Sequence, residues 1–141
     1  MDLEIKQRDK DGIRILDLWG RLVIGPSEAT LREVVFALAK GGIVNAILNF
    51  DAVKELDEDG LGALDWCAAR LRESAGALKL VNLGRVHIEL IVLMRMDTAF
   101  DVFRNEQDAV DSFYPDRAER RFDLLKFVEE HQNHPRSTPS D

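Results

Sequence analysis

The residues of this chain with the greatest capacity for chemistry lie in one acidic segment. Five carboxylates fall between Asp51 and Asp59, and glycines follow at Gly60 and Gly62. Carboxylates in such a group can bind a divalent cation or transfer protons. Residues 46–50, four of them apolar, indicate a buried strand before the carboxylates, and residues 59–64 have the pattern of a helix start. Because the first N–H groups of a helix are unpaired, Asp59 occupies a position that favours an anion.

The spacing of these carboxylates does not match known metal or phosphate sites. In a calcium-binding loop that begins at Glu55, the twelfth position would hold Trp66 in place of a bidentate Glu. A receiver-like phosphoacceptor at Asp51 would need an acidic pair after the first strand, which Asp17 does not supply. Phosphatases of the haloacid dehalogenase type place their first Asp directly after an apolar strand, whereas charged residues shortly precede Asp57. A solvated acidic loop is the better interpretation.

The sequence also lacks the common motifs for metal binding and catalysis. His87, His131 and His134 lack zinc-ligand spacing with the single Cys67, which is interpreted as a small packing residue. The sequence contains neither a Gly-x-Ser-x-Gly nucleophile motif nor a glycine-rich phosphate loop with a lysine. We therefore expect no enzyme activity, no cofactor and no bound metal.

Composition and charge favour a single cytoplasmic domain. The chain has 141 residues, 45% of them hydrophobic, and a net charge of −7, with no basic run suited to nucleic acid. No apolar stretch approaches the roughly 20 residues that span a bilayer, and the first residues do not resemble a signal sequence. The lone Cys67 agrees with a reducing compartment. We expect neither nucleic-acid binding nor membrane insertion.

Apolar periodicity predicts alternating strands and helices. Leu3, Ile5, Ile13 and Ile15 alternate with polar residues around a turn at 9–12, which predicts a hairpin. A helix follows from Ser27, its expected N-cap, to the glycines at 41–42. Further strands are predicted at residues 22–24, 45–50, 78–83 and near 102, and further helices at 59–74, at 87–94 and from 108. The sequence therefore predicts an α/β fold, a mixed sheet with an antiparallel edge hairpin and right-handed βα crossovers.

The helix that follows the acidic segment has two distinct faces. Leu61, Leu64 and Leu71 fall on one side, whereas Trp66 projects from the other with Arg70 beside it. Because Trp and Arg dominate protein–protein hot spots, this pair is a candidate contact patch. In the alternative, the apolar residues 122–128 cover Trp66, and the sequence leaves both interpretations open.

The order of residues at this junction resembles the STAS domain of the anti-sigma factor antagonists, also called anti-anti-sigma factors. In that family an apolar strand is followed by an apolar position, Asp, two small hydroxylated residues and Gly-Leu-Gly. Leu56, Asp57 and the triplet Gly60-Leu61-Gly62 match this motif, whereas Glu58 and Asp59 stand where the family usually has Ser or Thr. The resemblance extends more loosely over residues 3–113.

The resemblance implies a non-enzymatic bacterial regulator that binds a kinase-like anti-sigma factor and so alters transcription. In that family the hydroxyl beside the glycine accepts phosphate, so Asp59 implies a protein that serine phosphorylation does not switch. Asp59 is either a partial phosphate mimic or only a stabilising charge at the helix start. The expected partner-binding residues, with Trp66 and Arg70 added from the helix face, are Gly25, Ser27, Asp57, Glu58, Asp59, Gly60, Leu61 and Gly62.

A second hypothesis makes the chain a STAS subunit of a larger assembly, such as a lipid-transport complex or a stress-signalling scaffold. Its partners would be transporter or scaffold subunits, and no phosphorylation would be needed.

The predicted domain organisation has three parts. Residues 1–114 form the STAS-like domain, residues 115–132 a C-terminal helical extension, and residues 133–141 a disordered tail. The extension has a broad apolar side, with helix expected over residues 118–131. We favour docking of this helix on its own domain over a contact in a homodimer.

Overall fold

The computed structural model describes residues 3–133, which alternate between strands and helices. The elements in chain order are β1 (Leu3–Lys10), β2 (Ile13–Leu22), α1 (Pro26–Lys40), β3 (Asn45–Leu56), α2 (Glu58–Glu73), β4 (Ala77–Val81), α3 (Arg85–Leu93), β5 (Asp101–Phe103), α4 (Glu106–Asp111) and α5 (Leu124–Asn133). No helix in this part of the chain has the length and apolar character needed to cross a bilayer.

The strands form one mixed sheet in the order β1-β2-β3-β4-β5. β1 and β2 are antiparallel and are joined by Asp11 and Gly12, whose φ angles of 53° and 85° suit a two-residue hairpin turn. The remaining neighbours are parallel and are connected through helices. The predicted edge hairpin and βα crossovers are therefore confirmed.

Side-chain alternation divides the interior into two layers. Along β2, Leu16 and Leu18 face a large core formed with α1, α2, α3 and α5. Ile13 and Ile15 face the opposite side, where a smaller core includes Ala109 and Val110 of α4. The sheet thus has its longer helices on one face and α4 on the other.

The strand before the acidic segment is longer than the sequence predicted. β3 continues to Leu56, and its second half pairs with β2 through Trp19 and Ala52, then Arg21 and Glu55. Val53 points into the core while Asp51 and Glu55 are exposed. The prediction of an acidic loop over residues 51–58 was therefore wrong for most of its length. The segment is a half-buried strand, and its outward-facing carboxylates have the sequence pattern of a solvated loop.

The C-terminal extension is partly extended and partly helical. Arg121 forms an isolated antiparallel bridge with Phe103, and the Phe122 N–H donates to the Val102 carbonyl at 2.9 Å. The helix starts only at Leu124, so the prediction of helix from residue 118 was wrong at that end. α5 packs against α3 and buries Leu124 and Val128 in the large core. The predicted tail from residue 134 onward lies outside the described residues.

Candidate functional site

The carboxylate of Asp57 fixes the start of α2. Its Oδ1 accepts a hydrogen bond from the backbone N–H of Gly60 at 2.8 Å, which makes Asp57 the N-cap. Its Oδ2 accepts from the backbone N–H of Ile24 at 3.0 Å. One side chain therefore caps α2 and joins it to the turn before α1. Asp57 serves the predicted site by positioning backbone, a role that the sequence analysis did not assign.

The two glycines of the motif have different structural roles. A Cβ at Gly60 would lie 2.2 Å from the carbonyl oxygen of Leu22, so any side chain there would force the backbone of α2 away from β2. A Cβ at Gly62 would meet nothing within 4 Å, and this residue is exposed. Gly60 is required for packing, whereas Gly62 leaves a bare stretch of helix surface.

The turn between β2 and α1 lies beside the start of α2. Gly25 has a φ of 107°, which L side chains rarely adopt, and it precedes the first residue of α1. Ser27 is buried, and its hydroxyl donates to the Val23 carbonyl at 2.7 Å and accepts from the Val23 N–H at 3.0 Å. The expectation that Ser27 caps α1 was therefore wrong, because its hydroxyl stabilises the turn instead.

Four of the predicted residues share one side of α2. Gly62, Trp66 and Arg70 follow Asp59 at offsets of three, seven and eleven residues, which place them on one face at about 100° per residue. Asp59 and Gly62 are exposed, and Trp66 and Arg70 are half-buried. We call these four residues the α2 stripe. It runs from the anion-favouring helix start to a cationic end.

Arginines and aromatic rings are interleaved where α1 meets the far end of this stripe. The guanidinium carbons of Arg32 and Arg70 lie 5.6 and 5.2 Å from the centre of the Trp66 ring. Arg70 also lies 4.8 Å from the ring of Phe36, which is 39% exposed, and the Lys40 Nζ lies 5.6 Å from that ring. We call these five residues the aromatic–arginine patch. Trp66 is half-buried, with Arg32 of α1 over its ring, whereas α5 packs against α3.

A shallow groove of about 490 Å³ is lined in part by Asp57. Ile24 and Val86, which are 66% and 74% exposed, line it together with Lys54 and His87. His87 is buried edge-on against Phe50, and burial lowers the pKa of its imidazole. The sequence analysis missed Val86, because a single exposed apolar residue carries no periodic signal.

The remaining predicted residues include both solvent-exposed and buried positions. Glu58 lies in the first turn of α2 and is exposed, as is Gly25. Leu61 is buried in the large core, so it contributes to the site only through the backbone it holds. Cys67 is also buried, and burial raises the pKa of its thiol to about 12, which suits a packing residue. Within residues 3–133, no group of three or more His, Cys, Asp or Glu side chains is arranged to hold a metal.

Comparison with known proteins shows the family to which this chain belongs. The sequence profile of the STAS domain matches residues 4–109. The chain therefore belongs to the STAS domain family. No curated protein matches the sequence.

Solved structures of anti-sigma factor antagonists share the fold. One from Mycobacterium paratuberculosis is 21% identical, with a TM-score of 0.67, and the match covers 79% of this chain and 93% of that one. SpoIIAA in its unphosphorylated form is 18% identical with a TM-score of 0.64, and the coverages are 78% and 96%. A third structure, from Thermotoga maritima, is 16% identical with a TM-score of 0.67, covering 77% and 92%.

Proposed function

We propose that this protein is a non-enzymatic, protein-binding regulator of the anti-sigma factor antagonist type. Its partner in this proposal is a kinase-like anti-sigma factor. The partner docks on the α2 stripe, with the exposed residues of the neighbouring turn, Ile24 and Gly25, at the rim of the contact. Binding competes with the partner's sigma factor and so changes transcription indirectly.

The α2 stripe is the observation that carries this proposal. Trp66 and Arg70 are residue types that dominate protein–protein hot spots, and Asp59 and Gly62 extend the same side of the helix to its start.

In this proposal Asp59 removes the phosphorylation switch. SpoIIAA has been solved in unphosphorylated and phosphorylated forms, so that protein accepts phosphate. Asp59 stands at the position where the family motif places a hydroxyl, and it is exposed in the first turn of α2. A carboxylate cannot accept phosphate from a kinase specific for hydroxyl groups. Binding here is therefore controlled by the amounts of the two proteins.

The test is affinity measurement against a purified kinase-like anti-sigma factor from the same genome. Gly62→Arg places a long side chain in the middle of the stripe, where nothing inside the protein opposes it. Gly62→Ala is the matched control, since it adds only a methyl group. We expect Gly62→Arg to weaken binding by about tenfold or more, equivalent to about 1.4 kcal/mol. Equal affinities for the two variants would exclude the stripe as the contact.

A larger assembly is the second candidate, and exposed apolar residues on α3 favour it. Val86 and Leu93 are 74% and 76% exposed and lie seven residues apart on one helix face. Such a face suits a transporter or scaffold subunit. Affinity capture from native extract with mass spectrometry distinguishes the candidates. A histidine-kinase-like ATPase lost with Gly62→Arg supports sigma regulation, whereas transporter or scaffold subunits lost with Leu93→Ser support the assembly.

A further inference from the structure

The C-terminal extension closes a small cavity against the rest of the domain. Its volume is about 110 Å³, and it lies between α3, the end of β5 and the segment that leads into α5. Most of its wall is apolar, and three phenylalanine rings contribute to it. The apolar lining residues are Leu83, Ile88, Val102, Phe103, Phe122 and Phe127.

The size of this cavity suits one aromatic ring. Apolar cavities of roughly 150 Å³ stay dry and bind benzene, so a slightly smaller cavity that opens to solvent can accept a single ring. Rings prefer edge-to-face or offset contacts with other rings, and Phe122 and Phe127 are already tilted at 52° to each other. A flat aromatic group is therefore the apolar body that these walls fit best.

The cavity is also bordered by positive charge. Arg85 and Arg104 line it, and the Arg104 guanidinium carbon lies 5.1 Å from the centre of the Phe122 ring. Arg85 is paired with Glu89, but Arg104 has no ion pair within residues 3–133. A guanidinium that stacks on one ring keeps its N–H groups free to bind a carboxylate in bidentate geometry.

The surface outside the cavity continues this charge. Arg104, Phe122 and Phe127 also line an adjoining depression, whose basic residues outnumber its acidic ones. The basic residues there are Arg104, Arg120, Arg121 and Lys126, and the acidic residues are Asp108, Asp123 and Glu130. Arg120 is paired with Asp108, and Arg121 with Asp101 and Glu119. Arg104 and Lys126 are therefore the cations of this depression that have no ion pair within residues 3–133, and they can attract an anion.

We propose that this cavity is a binding site for a small aromatic carboxylate. The ring lies among the phenylalanines, and the carboxylate pairs with Arg104 at the mouth. Residues of both the sheet and the C-terminal extension line the cavity, so a bound ligand contacts both parts of the protein at once. A ligand that binds only the folded protein raises its stability by mass action.

Benzoate is the probe, and benzyl alcohol is the uncharged control with the same ring. We expect millimolar benzoate to shift the backbone amide NMR signals of Val102, Phe122 and Phe127 and to raise the melting temperature above that in sodium chloride of equal concentration. Benzyl alcohol should bind more weakly, by up to about fivefold, because it lacks the charge that pairs with the exposed Arg104.

Two variants complete the experiment. Arg104→Gln removes the cation from an exposed residue and should weaken benzoate binding by up to about fivefold, since water screens an exposed charge pair. Arg72→Gln, an exposed arginine on α2, should leave it unchanged. The proposal is overturned if benzoate causes no shift at the cavity, if its shifts map elsewhere, or if Arg104→Gln and Arg72→Gln bind it equally well.

Discussion

The carboxylate of Asp57 accepts a hydrogen bond from the backbone N–H of Ile24 at 3.0 Å, across a separation of 33 residues in sequence. Its other oxygen caps α2 through Gly60. The turn before α1 and the start of α2 are thereby held as one surface. A site composed of two chain segments keeps its shape because one side chain satisfies donors from both.

Replacing Asp57 should loosen this surface and lower stability. Asp57→Ala removes an N-cap, which costs about 0.5–2 kcal/mol, and it also leaves the Ile24 N–H without its acceptor. Asp65→Ala, an exposed Asp within the same helix, is the matched control and should be nearly neutral. Urea unfolding of both variants measures the difference. Equal midpoints would mean that the Asp57 bonds contribute nothing in solution.

The two motif glycines should respond oppositely to alanine. Gly60→Ala forces the backbone apart from the Leu22 carbonyl, and overpacking of this kind costs about 1–3 kcal/mol or more. Gly62→Ala meets open space, and the helix propensity of alanine favours it by up to about 1 kcal/mol. Thermal unfolding should place Gly60→Ala below the parent and Gly62→Ala at or above it. The reverse order would contradict the packing described for α2.

Removing the extension should destabilise the domain. Truncation after Tyr114 exposes the core surface that Leu124 and Val128 cover and removes the hydrogen bond from Phe122 to Val102. Burial of each such side chain is worth about 1.5–3 kcal/mol, so we expect the melting temperature to fall by at least about 5 °C. Calorimetry and size-exclusion chromatography check this. An unchanged melting curve and elution volume would show that the extension is an independent tail.

The sheet edge should contribute stability that depends on pH. Arg8 bonds to Asp17 at 2.7 Å and also pairs with Glu106, and these hydrogen bonds hold the pKa of both carboxyl groups below their usual values. A carboxyl group whose pKa is lower in the folded state than in the unfolded state stabilises the fold at any pH above its unfolded-state pKa. This stabilisation is lost as the pH falls through the folded-state pKa.

Arg8→Met should therefore destabilise the protein at pH 7 but not in strong acid. Because Arg8 is 44% exposed, solvent screening limits the loss to about 0.2–1 kcal/mol. Unfolding in urea at pH 7 and at a pH near 2 measures it. Arg72→Met, which changes an exposed arginine on α2, is the control. A loss of equal size at both pH values would mean that packing of the Arg8 side chain, and not its charge, is responsible.

The sequence predicted the architecture well because the fold depends on apolar periodicity. Leu3, Ile5, Ile13 and Ile15 alternate with polar residues around the hairpin turn, and the spacing of Leu61, Leu64 and Leu71 gives the buried side of α2. These signals are local, so they can be interpreted without knowledge of the neighbouring elements.

The parts that the sequence missed depend on contacts between distant residues. The extension of β3 to Leu56 requires pairing with β2, and the bond from Ile24 to Asp57 spans 33 residues. Ser27 has the residue type of a cap, but it is buried and bonds to Val23, which only the packed turn determines. Local residue preferences cannot show which of two available partners a hydroxyl or carboxylate will take.

The last prediction concerns Asp59, whose exposed carboxylate should make the parent protein resistant to serine phosphorylation. Asp59→Ser should become labelled by a cognate kinase with radioactive ATP, with Asp59→Ala as the control that lacks a hydroxyl. A phosphoserine carries about −1.5 to −2 charges, whereas the aspartate carries one, so it is only a partial mimic. If it does act as a mimic, both variants should bind the anti-sigma factor more tightly than the parent. If both change stability by about 0.3–1 kcal/mol and leave affinity unchanged, Asp59 is only a helix-end charge and the regulatory interpretation is wrong.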